Sequence, residues 1–256
     1  MQITFLGTGS MLPTIDRNPI GVAFDYKSEH FLFDCGEGTQ RQMKLAGLSP
    51  AKITTILLSH LHGDHVFGLP GLLLTMGNAH HKDQRTKKLQ IYGPRNTKRY
   101  FKKMQNLYIK QNTMNIQVKE VQKGVIYETK DFKIEVLPLD HTTPVVGYSF
   151  IEKDKRKINI PYLKKFGLQQ HPILKKLQQG KNIKWKGKTI QVKQATKLVK
   201  GKKITLVTDT GVCANIIKLA KLSQPNEDYC CISKGPFNYK KIKDTYDKKI
   251  IDSNKV

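Results

Sequence analysis

The chain has 256 residues, with 45 Lys and Arg against 20 Asp and Glu for a formal net charge of +25, and 38% of it is hydrophobic. That length supports one well-buried domain rather than a string of modules, and apolar runs between turn signals exclude a wholly disordered chain. No apolar stretch is long enough for a bilayer, Met1 to Gly9 lacks the plan of a signal peptide, and the basicity calls for an anionic partner, nucleic acid before membrane surface.

In chain order, Ile3 to Leu6 reads as a strand ending in the Gly7-Thr8-Gly9 turn. Gly21–Tyr26 and Phe31–Asp34 read as a strand pair, followed by the Gly36-Glu37-Gly38 turn and a helix from Thr39 to Ala46 that Gly47 stops. Ile53–Leu58 is a continuous β-branched and apolar run, as expected of a strand buried on both faces. Leu89–Tyr92 is a short strand and Asn96–Leu107 a basic helix. Phe132–Leu139 and Val145–Ile151 are neighbouring strands, Ile204–Val207 a last core strand and Val212–Leu222 a helix. Many strands with interspersed helices predict an α/β layered sandwich. Four cysteines, Cys35, Cys213, Cys230 and Cys231, show no CxxC pair. Reduced thiols in a cytoplasmic protein are the expectation.

The charge is segregated. Residues 1–78 hold 5 basic and 6 acidic residues, whereas residues 153–203 hold 17 basic residues and a single acid, Asp154. Such concentration suggests a binding element rather than a uniformly basic surface. Lysines beside scattered apolar residues give phosphate contacts without base readout.

The strongest chemical signal is Ser59-His60-Leu61-His62-Gly63-Asp64-His65, directly after the predicted buried strand. Three imidazoles and a carboxylate in a tight turn are ligand types suited to zinc, and so short a segment favours two adjacent ions over one. His141 and Asp209 each follow a predicted strand, which places ligands on three strand ends along one edge. A bridging Asp209 in a two-metal site would suit phosphoryl chemistry.

His60-x-His62-x-Asp64-His65 resembles the signature of the metallo-β-lactamase fold, an αββα sandwich. The flanking segments are similar to the ribonuclease Z family, tRNA 3′-processing endoribonucleases. They are Phe5 to Gly9, Pro13 to Asn18, Phe33 to Gln40, Phe67 to Gly71, Ile91 to Pro94, Leu139 to His141 with Gly147 and Tyr148, and Val207 to Thr210. The resemblance covers about residues 1–222, read as the metallo-β-lactamase domain. It implies two Zn²⁺ ions per subunit: one on His60, His62 and His141, the second on Asp64 and His65, with Asp209 bridging. It also implies that Asp64 is catalytic, orienting water and accepting its proton, and that Arg17 and Asn18 help place the RNA 3′ end. Residues 153–203 would be an inserted basic arm gripping precursor tRNA through Lys164, Lys165, Lys175 and Lys176 in a homodimer. His171 stands where Gly is usual before Pro172, a departure expected to stiffen the arm tip.

The family has a further His late in the chain to complete the second zinc, and here no His follows His171. The resemblance places Lys234 where the family has a Glu. Residues 223–256 read as a divergent, poorly ordered tail, and within it residues 238–256 lack the strand and helix that the family has there. Two explanations stand: a truncated chain whose missing ligands lie on a second polypeptide, or a whole product with a weak or absent second metal. The function expected is therefore a zinc-dependent endoribonuclease, with a tRNA-binding pseudoenzyme as alternative. A metallohydrolase of small esters or other phosphodiesters comes third.

Overall fold

Two six-stranded sheets frame the protein in a computed structural model that describes residues 1–83, 88–108, 114–220, 231–233 and 250–252. The first sheet runs in chain order through β1 (Gln2–Gly7), β2 (Gly21–Tyr26), β3 (Glu29–Phe33), β4 (Thr55–Leu57), β5 (Lys88–Gly93) and β6 (Asn115–Glu120). Its first three strands are antiparallel and the rest parallel. The second sheet is built on β7 (Gly124–Glu128), β8 (Phe132–Pro138) and β9 (Val146–Glu152). The chain then leaves it for the basic segment before returning.

Period-two alternation explains how the sheets stack. Val22, Phe24, Phe31 and Phe33 face the second sheet, where they meet Phe132, Ile134, Tyr148 and Phe150. Phe150 lies edge-on to Phe24 and stacked on Phe132, at 4.7 Å from each ring centre. The alternate residues Ala23 and Leu32 face outward, onto helices. Those helices are α1 (Thr39–Leu45), α3 (Leu69–Asp83) and α4 (Thr97–Tyr108), while the short α2 (Gly63–Val66) caps the sheet edge. Helix α3, whose Leu69, Leu72, Leu73 and Met76 are all buried, is absent from the sequence expectations, as are β6 and β7. Two glycines and a proline in α3 lower its helix propensity, and packing overrides that.

The basic segment is not a solvated loop. It comprises β10 (Lys155–Ile158), α5 (Ile160–Lys164), α6 (Leu174–Gln178), β11 (Ile183–Trp185), β12 (Lys188–Ile190), α7 (Val192–Ala195) and β13 (Thr196–Val199). Leu163, Leu168, Leu177, Ile183 and Ile190 form a core of its own. β10 pairs antiparallel with β13 at the base. β11 and β12 form a hairpin whose Lys186 and Gly187 both take positive φ, 46° and 76°, as a two-residue hairpin turn requires. Trp185 Nε1 donates to Phe166 O at 3.1 Å, and His171 lies edge-on to Trp185 at 4.8 Å. His171 thus packs on the arm's indole.

The second sheet resumes with β14 (Lys203–Leu206), antiparallel to β9. α8 (Ala214–Ala220) covers its outer face, where Thr205 Oγ1 donates to Leu219 O at 3.0 Å. β15 (Cys231–Ser233) and β16 (Ile250–Asp252) then add in parallel. β15 lies in the stretch 229–237 that aligns with a strand of the family, and β16 lies within residues 238–256, where the sequence shows no strand signal. β15 pairs along the edge of β14 and β16 along the edge of β15, long-range partners that composition does not reveal. Lys234 and the remainder of the tail lie outside the described residues. The architecture is the expected αββα sandwich with an inserted arm.

Candidate metal centre

Strand ends deliver the ligands. Ser59 and His60 follow β4, His62 precedes α2 and Asp64 and His65 lie in its first turn. His141 follows β8 and Asp209 follows β14. The sheets are joined at this edge, where Val146 N donates to Ser59 O at 2.9 Å and Tyr148 Oη donates to Leu58 O at 2.8 Å.

Two groups of ligand atoms converge, each within 4.8 Å: His60, His62 and His141, and His60, His65 and Asp209. His60 Nε2 lies 3.1 Å from His62 Nδ1, and His141 Nε2 lies 3.3 Å from the same atom. Nitrogens about 2.0–2.1 Å from a tetrahedral zinc sit about 3.3 Å apart, so these spacings match a tetrahedral edge. His65 Nε2 is buried without a hydrogen-bond partner, 3.6 Å from Asp64 Oδ2 and 3.8 Å from Asp209 Oδ1. A buried imidazole nitrogen facing two carboxylates beyond bonding reach is costly unless a cation lies between them. The donor set therefore fits a divalent metal. Asp64 falls outside both groups and approaches the second through His65.

The ligands are held from behind. Asp34 takes φ 51° at the end of β3 and is fully buried. Its Oδ1 accepts from Ser59 N, and its Oδ2 accepts from Ser59 Oγ and faces His65 Nδ1, all at 2.7 Å. Ser59 Oγ lies 3.0 Å from His60 Nδ1. These contacts turn the Nε2 atoms of His60 and His65 toward the metal groups, a support that ligating histidines commonly have. Sequence reasoning quotes Asp34 within a motif and assigns it no role. The signal lies in the parallel pairing of β3 and β4, which sets Phe33 beside Leu57 and so residue 34 near residue 59. Burial, then repulsion from His62 and His65, holds His141 below the ordinary histidine pKa, with Asp209 and Asp140 opposing. A neutral imidazole is the form that binds metal.

Arg17 and Asn18 lie in the loop between β1 and β2. Gly9 N donates to Asn18 O at 2.8 Å, and Asn18 Nδ2 donates to Glu37 O. Asn18 thereby fastens the 36–38 turn, whose Gly36 is pressed so close that a Cβ would lie 2.4 Å from Asp64 O. Lys164, Lys165, Lys175 and Lys176 are exposed on the arm. The arm and the ligands sit at opposite ends of β9, whose seven residues run from beside Ser59 to Glu152. At about 3.3 Å per residue the separation along the strand is about 20 Å.

An αββα sandwich with two His-rich ligand groups at one sheet edge defines a protein of the metallo-β-lactamase fold. Solved structures agree: the short form of human tRNase Z aligns with a TM-score of 0.65 and 24% identity over 98% of this chain and 83% of that one. The metallo-β-lactamase fold protein YhfI from Bacillus subtilis aligns at 0.60, with 17% identity over 92% of this chain and 72% of that one. Ribonuclease Z of Nanoarchaeum equitans is 40% identical over 209 residues, covering 82% of this chain and 65% of the relative. Ribonuclease Z of Pyrococcus abyssi is 36% identical over 223 residues, covering 86% and 71%. This chain belongs to the ribonuclease Z family, metal-dependent endoribonucleases of the metallo-β-lactamase fold. Its residues 1–160 also belong to the family described as Anti-Pycsar protein Apyc1. The match spans about two thirds of the length of those ribonuclease Z relatives.

Proposed function

We propose that this chain is a zinc-dependent endoribonuclease that removes the 3′ trailer from precursor tRNA. The products are a 3′-hydroxyl on the tRNA and a 5′-phosphate on the trailer. One observation carries the reading: the relation to ribonuclease Z extends through the arm as well as the ligands. A match over 86% of the chain has to include residues 153–203, whereas the Apyc1 match stops at residue 160.

His60, His62 and His141 would hold one zinc, Asp64 and His65 the second, and Asp209 would bridge. When bound, the metal supplies Lewis-acid polarisation of a phosphoryl oxygen and a nucleophile at neutral pH. Asp64 orients the attacking water and accepts its proton, and its carboxylate stays close to His65, which Asp34 fixes. Lys164, Lys165, Lys175 and Lys176 contact phosphates of the tRNA body from the folded arm. Asn18 sets the shape of its loop through Glu37, and Arg17 takes the RNA 3′ end. The opposite placement of arm and ligands on β9 supports a homodimer in which one subunit's arm presents tRNA to the other's site. No helix among the described residues is long and apolar enough to cross a membrane. A cytoplasmic enzyme acting on free precursor tRNA is consistent with that.

The test is to incubate the protein with a trailer-bearing precursor tRNA and with a chromogenic phosphodiester while measuring zinc per chain. The reading expects cleavage of the precursor with zinc bound. Binding without cleavage would support the pseudoenzyme. Cleavage restored only by a second polypeptide would support a half-enzyme. Cleavage of the small ester alone would support a general phosphodiesterase.

A further inference from the structure

A cavity of about 530 Å³ opens beside the metal centre, between the ends of β5, β6 and β8. Its walls include Pro94, Leu139 and Val146, with Arg95, Glu120 and Gln122 as its polar groups. It is built into the same backbone as the ligands. Leu139 N donates to Val145 O at 3.0 Å, closing the loop that carries His141, and Val146 N donates to Ser59 O. On the other side, Val121 N donates to Gly93 O at 2.8 Å, and Leu58 N donates to Tyr92 O at 2.8 Å. The cavity therefore adjoins the loop that carries His141.

What lies beyond the cavity is basic. Pro94 and Arg95 lead directly into α4, which packs Phe101 and Met104 into the core and exposes Lys98, Arg99, Lys102 and Lys103. α4 carries no acidic residue in its sequence. The acid facing it is Glu120, whose Oε1 accepts from Lys98 N at 3.0 Å. This face is separate from the arm, which joins the domain at the far end of β9.

We propose that the cavity and the exposed face of α4 form the path of the 3′ trailer. The cavity takes one unpaired nucleoside just beyond the cut, and Lys98, Arg99, Lys102 and Lys103 take the phosphates that follow. The inference rests on the reading of the chain as a precursor-tRNA nuclease. The size of the cavity favours a single strand, because about 530 Å³ can enclose an unpaired nucleoside but not a duplex. Apolar walls of proline and valine suit the faces of a base, the Arg95 guanidinium offers a stacking plane, and Glu120 and Gln122 stand at its edge as acceptor and donor. None of these groups needs to read a particular base, which suits trailers of any sequence.

The experiment measures binding of a 5′-phosphorylated single-stranded RNA of eight nucleotides, and separately of mature tRNA, to the full-length protein as salt is varied. Two variants are compared with the unaltered chain. Gln122→Trp fills the cavity from an exposed position, and the fourfold change of Lys98, Arg99, Lys102 and Lys103 to Gln removes the basic face. Each is expected to weaken the oligonucleotide about tenfold or more, as loss of one stacked base or several phosphate contacts would. The fourfold variant should flatten the salt slope by about 3, from about 0.7 per phosphate on single strands. Mature tRNA binding should change less than about twofold in both, since the arm is untouched. Unchanged oligonucleotide binding in both variants, with tRNA still bound, overturns the trailer path and leaves the tRNA reading standing. An unaltered chain that binds the oligonucleotide through these residues but not tRNA overturns the tRNA reading and supports the cleft. Binding of neither RNA overturns both.

Discussion

Asp34 Oδ2 lies 2.7 Å from His65 Nδ1, with both side chains fully buried, so one carboxylate settles which nitrogen of His65 faces the other ligands. Asp34→Ala would strand that imidazole nitrogen together with the N–H and hydroxyl of Ser59. Leaving buried donors unsatisfied is expected to cost about 3 kcal/mol, and loss of support behind a ligating histidine lowers metal affinity about 10–100-fold. Asp34→Asn should destabilise less, because Asn tolerates the positive φ and keeps an acceptor. Metal titration with a competing chelator, alongside thermal unfolding of the metal-free protein, separates the two effects. Equal metal affinity in Asp34→Ala and the unaltered protein would show that Asp34 only stabilises the fold.

The arm should unfold on its own. Leu177 is fully buried in a core confined to residues 158–195 and shares no cluster with the sheets. Leu177→Ala is expected to cost about 2–4 kcal/mol within the arm. The chain's single tryptophan, Trp185, belongs to that core, so its fluorescence reports the arm alone. The variant should lose the folded Trp185 signal and bind tRNA weakly while its metal content stays unchanged. Joint loss of metal would show that arm and site fold as one unit.

The uneven legibility of this chain has a physical origin. His60, His62, Asp64 and His65 are readable because one turn holds them all, His141 because it follows a strand with clear alternation, and Asp209 because it follows a short apolar core strand. The role of Asp34 depends on which strand lies beside β3, a long-range pairing that no window of sequence contains. The arm hid for a different reason. Its elements are three to five residues long, too short for a helical or strand period to register. Leu163, Leu168, Leu177, Ile183 and Ile190 are scattered among lysines, so the charge was visible and the core was not. β15 and β16 are likewise three residues each, and they pair in turn, β15 on the edge of β14 and β16 on that of β15.

Acid should loosen the arm's attachment. At its base Tyr26 Oη donates to Glu152 Oε1 at 2.8 Å, and Lys155 Nζ donates to Tyr26 Oη at 2.9 Å and to Glu152 Oε1 at 2.5 Å. Burial alone would push the Glu152 carboxyl up, but bonds from Lys155, Tyr26 and Lys202 N outweigh it and hold the pKa below its ordinary 4.5. A carboxyl lowered in the folded state adds stability above its unfolded pKa and loses it as pH falls through the folded value. Because Lys155 is partly exposed, the contribution is about 1 kcal/mol. Trp185 fluorescence in urea should show the arm's midpoint dropping between about pH 5 and pH 3. In Glu152→Gln the midpoint should start lower and vary less over that window. An identical pH profile in the two proteins would remove Glu152 from the account.

The separation of arm and ligands along β9 makes the dimer testable by mixing. One chain carries Lys164, Lys165, Lys175 and Lys176 changed to Glu, which keeps the arm's core but repels phosphate. The other carries Asp64→Ala and an intact arm. Each alone should cleave precursor tRNA poorly, the first for lack of grip and the second for lack of a proton acceptor. In a random equimolar mixture, half of the dimers are mixed, and in each of those one intact site faces one intact arm. If the arm serves the partner's site, activity should recover to about a quarter of the unaltered protein's, as the symmetry of a two-subunit exchange requires. If each arm serves its own site, the mixed dimer contains no competent pair and activity stays at the level of the separate chains. Recovery that grows with the time allowed for subunit exchange, at constant total protein, would tie the effect to dimer formation.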